Sequence, residues 1–433
     1  MNLRMLALEL LMKIQQEKAY SNIELSKQLA NVPDERNRSL ITTMVYGVIQ
    51  YRRRLDYIID CYVKKTKLQP DVRMILRLAV YQMEFMDKIP DHAVVNESVQ
   101  LIRQRKKAWA AGFVNGVLRS MLRKEKKVSY PEKLYLGTYY SYPDWMCDEI
   151  QSQYGAQTEK ILQQGNEPPT FALRVNTLQI TREEFLQAYE KRGAAPGRLS
   201  RAGVVFPHGF SIKGDAGYQQ GWYYPQDEAS MMAAEILACE KDELVLDLCS
   251  APGGKTTYLA QMMKNTGKII AFDIYEHRLH LVQQTAQRLK LTNIETRLHD
   301  ALVPIPELLH GADRVLLDAP CSGMGILRRK PEMKWTRQPE DMDSLCTLQA
   351  ELLSRAIEYV KPGGYLVYST CSIDKRENQW QFEAFLKGRD DICCEDLSAF
   401  FPHSQTAKHG YVQILPGEYG ADGFFMAKVR RKG

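Results

Sequence analysis

No stretch of the 433-residue chain approaches the roughly 18 uncharged apolar residues that a membrane-spanning helix needs. The first long apolar segment, residues 3–14, carries Arg4, Glu9 and Lys13. It reads as an amphipathic helix rather than a secretory leader, and a cytoplasmic location without membrane contact is expected. The nine cysteines are odd in number, scattered and without a C-x-x-C, and no histidine stands at metal-ligand spacing from a cysteine pair. Neither a disulfide framework nor a metal site is expected, and a functional cysteine should be a nucleophile. The chain also lacks G-x-G-x-x-G. Its nearest approach to a phosphate loop, Gly254-Lys255-Thr256, has Cys249 where the first glycine would stand. A dinucleotide and a nucleoside triphosphate are therefore not expected. No internal repeat or low-complexity segment is evident.

What is present is an ordinary globular composition, 45% hydrophobic and 25% charged, in a chain long enough for several domains. The net charge of +6 is unevenly placed. Residues 1–127 hold 24 Lys and Arg against 13 Asp and Glu, a net of +11, and the remainder carries −5. A basic module joined to a near-neutral one suits delivery to a polyanion, although a solvated helical surface gives the same count.

Residues 1–127 show apolar positions at helical spacing in 3–14, 40–49, 55–63, 72–85 and 94–102. Pro33-Asp34, Gln69-Pro70-Asp71 and Ile89-Pro90-Asp91 read as breaks before new helices. Basic clusters stand at Arg52-Arg53-Arg54, at Lys64-Lys65 with Lys67, and over 103–107; each suits RNA or an exposed helix surface. I-P-D-H-A-V-V-N-E (89–97) and F-V-N-G-V-L-R (113–119) resemble the NusB-type helical RNA-binding domain. Residues 124–130 are polar and read as a linker. Residues 128–225 mix helices at 145–154 and 182–192 with strands at 170–177, 204–206 and 222–224, which suggests a small α+β domain. Arg174, Asn176 and Lys213 are read there as surface residues.

From residue 226 to 433 strands and helices alternate. Strands are expected at 244–248, 268–272, 294–298, 314–317 and 365–369, with helices at 256–263, 276–290 and 343–360. That pattern predicts a doubly wound, Rossmann-like parallel sheet, with 423–429 in an antiparallel edge pair. The first strand runs into D-L-C-S-A-P-G-G-K-T-T (247–257) and then a helix, the usual opening of such a sheet, with ligand over the strand's carboxyl end. Asp273 ends the second strand, where an acid can hold both ribose hydroxyls or cap the next helix. Asp300 follows the third strand, at the rim of an adenine pocket. The set fits an adenosine ligand without a triphosphate, such as S-adenosylmethionine.

The fourth and fifth strands run into Asp318-Ala319-Pro320-Cys321-Ser322-Gly323 and Ser369-Thr370-Cys371-Ser372. Two cysteines in polar turns on the ligand rim favour reactivity over packing, whereas Cys249 reads as packing. A thiol beside a methyl donor suits carbon 5 of cytosine. Thiolate addition at carbon 6 makes carbon 5 enamine-like, a base then removes its proton, and an acid such as Asp318 assists at N3. The base must leave its stack to be reached.

D-L-C-S-A-P-G-G-K-T-T, D-A-P-C-S-G-M-G-I-L-R-R-K-P-E-M-K-W (318–335), Y-S-T-C-S-I-D-K-R-E-N (368–378) and D-G-F-F-M-A-K (422–428) together resemble the Fmu/Sun/Nop2 family of RNA cytosine-5 methyltransferases. The resemblance implies Cys371 as nucleophile and Cys321 as the cysteine that assists proton removal or release. It implies Cys249, Ser250, Ala251, Pro252, Gly253, Gly254, Lys255, Asp273, Asp300 and Asp318 as S-adenosylmethionine-binding positions; Ser250 and Lys330 are variants within the motifs. With a NusB-like domain ahead, it implies small-subunit ribosomal RNA as the substrate and no obligate protein partner. A tRNA methyltransferase, or an RNA-binding assembly or antitermination factor with a vestigial catalytic domain, are the other readings.

Overall fold

The computed structural model describes residues 2–17, 21–63, 67–124, 128–212 and 214–433. Of the positions singled out above, Lys64, Lys65, Lys213 and residues 125–127 lie outside this set. The chain divides into two compact units, Met1–Asn166 with Leu327–Arg337, and Glu167–Ile326 with Gln338–Gly433.

The first unit is helical, with helices Leu3–Glu17, Ser21–Leu29, Glu35–Gln50, Arg52–Tyr62, Pro70–Phe85, Asp91–Gln104, Ala111–Leu122 and Asp144–Tyr154. The expected breaks act as helix starts. Asp34 caps Glu35–Gln50 by accepting from the backbone N–H groups of Arg36 and Asn37, and Pro70 opens the next long helix at a position where no N–H is needed. Leu8, Val45, Leu55, Ile75 and Leu118 meet in one core. Each such side chain contributes roughly 1.5–3 kcal/mol by leaving water. The Arg52-Arg53-Arg54 cluster is half-buried. Arg53 donates to the Tyr142 carbonyl at 2.8 Å, and Arg54 lies over the Tyr139 ring.

The segment Leu327–Arg337 is part of this unit. Ser21 donates through N and Oγ to Glu332, at 3.2 and 2.7 Å. The Trp335 ring nitrogen donates to the Ile49 carbonyl at 2.7 Å. Lys334 is fully buried, with Nζ at 2.6 Å from Asn166 Oδ1 and 3.3 Å from the Ser141 carbonyl. Burial pushes its ammonium well below the ordinary lysine range.

The second unit opens with a small antiparallel sheet of β1 (Phe171–Val175), β2 (Ala195–Pro196), β3 (Gly203–Phe206) and β4 (Tyr223–Pro225), in the order β2-β3-β1-β4. Helix Arg182–Ala188, opened by a Thr181–Glu184 capping box, stops earlier than expected and gives way to a 3₁₀ turn ending at Gly193. Arg174 and Asn176, expected at the surface, are each only 1% exposed. A lone charge on a strand reads as solvent-facing, but here other elements cover it. The Arg174 guanidinium donates to Thr257 Oγ1 at 2.8 Å and to Gln226 and the Gly254 carbonyl, between the rings of Tyr224 and Tyr258. Asn176 donates to the carbonyls of Gly221 and Leu289.

The large sheet contains β5 (Leu244–Asp247), β6 (Lys268–Asp273), β7 (Ile294–Leu298), β8 (Ala312–Asp318), β9 (Val360–Thr370), β10 (Ile392–Cys394), β11 (Tyr411–Ile414) and β12 (Phe424–Arg431). Its order is β10-β12-β9-β8-β5-β6-β7, with β11 also on β12. Strands β5 to β9 pair in parallel, as expected for a doubly wound sheet. Strand β12 pairs antiparallel with β9, β10 and β11, so it lies inside the sheet rather than in an edge pair. Its near-continuous burial from Phe424 to Val429 is what an inner strand needs. From β5 the chain winds one way through β6 and β7, then the other way through β8 and β9. That places a topological switch point between the carboxyl ends of β5 and β8.

Candidate active site

The loop after β5 is shaped by its small residues. Ser250 donates through N and Oγ to the Phe272 carbonyl, both at 2.9 Å, and so ties the loop to the end of β6. Gly253 sits at φ +98°, where only glycine is unstrained, and from it helix Gly254–Met262 begins. Thr256 and Thr257 are fully buried and turn their hydroxyls inward, Thr256 to Asp247 Oδ2 at 2.7 Å and Thr257 to the Gly253 carbonyl at 2.7 Å. Burial pushes the Asp247 carboxyl up to about 7.

Across the switch point, Lys255 Nζ lies 2.7 Å from Asp318 Oδ2, and Ser369 Oγ donates to Asp318 Oδ1 at 2.8 Å. Burial disfavours the Lys255 ammonium, but the Asp318 carboxylate outweighs it, and the lysine stays charged well into alkaline pH. Asp318 and Ser369 are cross-strand partners at the ends of β8 and β9. The turns that follow bring the Cys321 and Cys371 sulfurs to 3.3 Å. Sharing with Cys371, then burial, push the Cys321 thiol well above the ordinary range. Cys249, by contrast, is raised chiefly by burial, as a packing cysteine should be.

The expected cofactor acids stand on the opposite side. Asp273 is buried at the end of β6. Its Oδ1 accepts from the Tyr275 N–H at 3.0 Å, and Oδ2 lies 3.5 Å from Arg278. Oδ1 shapes the turn before the next helix, whose N-cap position is Tyr275 rather than Asp273. Asp300, after β7, is exposed; its carboxylate accepts from the Leu302 N–H at 3.0 Å and its carbonyl from the Val303 N–H. Ile274, Tyr275 and Leu298 flank these acids with large exposed apolar surface. The sequence reading passed over them, because an apolar residue beside a strand end looks like core.

It also passed over Glu377 and Asn378. Glu377 is fully buried and accepts from Ser322 N at 2.8 Å, Ser322 Oγ at 2.6 Å and Gln349 Nε2 at 3.0 Å. Asn378 accepts from Thr370 Oγ1 at 2.6 Å and donates to the Ser372 carbonyl at 3.0 Å. Both stand in the quoted Y-S-T-C-S-I-D-K-R-E-N motif, and that membership was the available signal. Among the described residues no group of three or more His, Cys, Asp and Glu could hold a metal ion, and no helix is long and apolar enough to cross a membrane.

Family models match along the chain: the NusB family at residues 1–123, the RsmF/B-like ferredoxin-like domain at 142–213, and the 16S rRNA methyltransferase RsmB/F model at 234–430. A Bacillus subtilis protein named "Probable ribosomal RNA small subunit methyltransferase B" is 38% identical over 100% of this chain and 99% of its own length. The ribosomal RNA small subunit methyltransferase B of Shewanella oneidensis is 32% identical over 99% of both. The solved structure of PH0851 superposes with a TM-score of 0.83 at 27% identity, covering 98% of this chain and 97% of that one. With the two-cysteine rim, the switch-point loop and full-length relatives in agreement, the chain belongs to the RsmB/F family of 16S rRNA methyltransferases.

Proposed function

We propose that this protein methylates carbon 5 of a specific cytosine in small-subunit rRNA through a covalent bond to Cys371, using S-adenosylmethionine. The single observation that carries the reading is the pair of sulfurs 3.3 Å apart at the ends of β8 and β9, beside the Lys255–Asp318 pair. One thiol suffices for packing, whereas addition and elimination at a base benefit from two.

The residues present suit S-adenosylmethionine. Asp273 has an acceptor to spare for ribose hydroxyls, Asp300 stands at the rim, and Gly253, packed against Val282, sets the turn of the loop Cys249–Lys255 into its helix. When bound, the cofactor supplies the electrophilic methyl group.

The Cys371 thiolate adds to carbon 6 of the flipped base, and the carbon 5–carbon 6 π pair shifts onto carbon 5, in conjugation with carbon 4 and N3, making carbon 5 nucleophilic. Asp318, held by Lys255 and Ser369, offers its carboxyl edge to the N3 and amino side of the base and favours that electron shift. After carbon 5 gains its methyl group, a base takes the carbon 5 proton. The electron pair returns to the double bond, and the carbon–sulfur bond breaks to release Cys371 as thiolate. Cys321 assists proton removal and release from 3.3 Å away. The basic N-terminal region, net +11 over residues 1–127, adds affinity for the RNA backbone.

The test is incorporation of labelled methyl groups into small-subunit rRNA by the purified chain, with nuclease mapping of the product as 5-methylcytosine. Methylation of tRNA but not rRNA would move the substrate assignment. Binding of cofactor and RNA without transfer would leave an RNA-binding factor.

A further inference from the structure

The two reactive turns come from different parts of the chain, yet adjacent residues of one dipeptide hold both. Glu377 takes Ser322 through its N–H and hydroxyl, while Gln349, bound to the same carboxylate, donates to the Pro320 carbonyl at 2.8 Å. The Cys321 turn is therefore gripped on both flanks. Asn378 takes the Cys371 turn in the same way, through the Thr370 hydroxyl before the cysteine and the Ser372 carbonyl after it. Ser322 and Ser372 meet at 3.0 Å and link the two grips. The dipeptide is itself anchored, since Tyr368 donates to the Glu377 carbonyl at 2.5 Å and helix Gln379–Leu386 starts directly after Asn378. A buried carboxylate takes on its full desolvation cost unless its donors are fixed, so the grip on the Cys321 turn is stiff.

We propose that Glu377 and Asn378 are the positioning residues that set the two thiols in register, Glu377 for the Cys321 turn and Asn378 for the Cys371 turn. The inference rests on the covalent reading above and adds a division of labour within it. Slackening the Asn378 grip moves the nucleophile, so attack itself fails. Slackening the Glu377 grip leaves attack intact and moves the thiol that assists release, so the protein–RNA bond outlives the methyl transfer. Glu377→Gln tells geometry from charge. An amide oxygen can still accept from Ser322 N–H and Gln349, and the Ser322 hydroxyl can rotate to accept from the amide nitrogen.

The experiment uses the full chain with small-subunit rRNA and labelled S-adenosylmethionine. It measures product and the denaturant-resistant protein–RNA band together. Glu377→Ala and Ser322→Ala should lower turnover about tenfold while the band accumulates, and Asn378→Ala should lower product and band together by about tenfold. Glu377→Gln should stay within about threefold of wild type. Cofactor affinity, which depends on residues outside the grips, reports folding for each variant; if Glu377→Ala does not fold, Ser322→Ala decides. Parallel loss of band and product in the Glu377 and Asn378 variants alike, or wild-type kinetics in both, overturns the proposal. Cys321→Ala and Cys371→Ala run beside them: if these controls show no band and no loss of activity, the covalent reading itself fails and the proposal falls with it.

Discussion

The two sides of the switch point are built differently. On the β8–β9 side the half-buried cysteines sit in turns tied by hydrogen bonds with Glu377, Gln349 and Asn378, and Ser369 braces Asp318 at the strand ends. On the β6–β7 side Asp273 and Asp300 each brace mainly their own turn, and exposed Ile274, Tyr275 and Leu298 stand around them. The contrast is what the proposed reaction asks of each side. A bond-forming thiol must be placed within a fraction of an ångström, which requires locked neighbours. A bound cofactor brings its own apolar and polar surface, so its side of the cleft needs only complementary groups.

That contrast predicts a descending series of effects. Cys371→Ala should cut methylation by on the order of a thousandfold or more, with RNA and cofactor binding retained; residual turnover near wild type would mean that the locked side is not the chemical side. Cys321→Ala should lower turnover by roughly 10²–10⁴-fold, the usual range for an assisting acid or base, and should trap a protein–RNA band that Cys371→Ala abolishes in the double variant. A band in Cys371→Ala instead would exchange the two roles.

Asp247, at the end of β5 between the two sides, gives a pH signature. Its folded carboxyl titrates at about 7 against an ordinary 3.8, so the folded state holds a proton that the unfolded chain releases. Its contribution to stability is whole below about pH 4 and is lost as the pH rises to about 7, by on the order of a few kcal/mol. Asp247→Asn should flatten the unfolding profile across that window, and an unchanged slope in calorimetry from pH 4 to 8 would refute the burial argument. Asp273→Ala should weaken S-adenosylmethionine binding by roughly 1.5–3 kcal/mol, the scale of charge-assisted hydrogen bonds; titration calorimetry on the folded variant decides. Asp300→Ala, exposed and braced only on its own turn, should change that affinity by less than about 0.5 kcal/mol. A loss matching that of Asp273 would show the β6–β7 side to be as tightly built as the other.

Most of the sheet and its rim was legible in the sequence, because the governing signals are local. Apolar runs ending in small or polar turns marked β5 to β9, and the loop, Asp273 and the two cysteines stand at strand ends by position alone. What escaped depends on neighbours distant in sequence. Arg174 is buried because Tyr224, Tyr258 and Gly254 close over it. Strand β12 lies inside the sheet because β10 and β11 pair beyond it. Glu377 reads as one more charge in D-K-R-E-N until Ser322, 55 residues earlier, is seen to donate to it.

The segment Leu327–Arg337 leaves the Cys321 turn, completes the helical unit and returns at Gln338. Lys334 and Trp335 donate to the carbonyls of Ser141 and Ile49 and to the Asn166 amide oxygen, which also accepts from Gln50. During synthesis the N-terminal helices therefore wait for a piece of themselves. Their buried core, drawn from residues 7–121, can close early, but the contacts with Lys334 and Trp335 form only after residue 337 has left the ribosome, by which time β5 to β8 are already outside. A single cut cannot free either unit intact, and a fragment ending near residue 166 carries an open socket where the Lys334 and Trp335 donors would sit. Supplying residues 327–337 as a separate peptide is the natural way to close it.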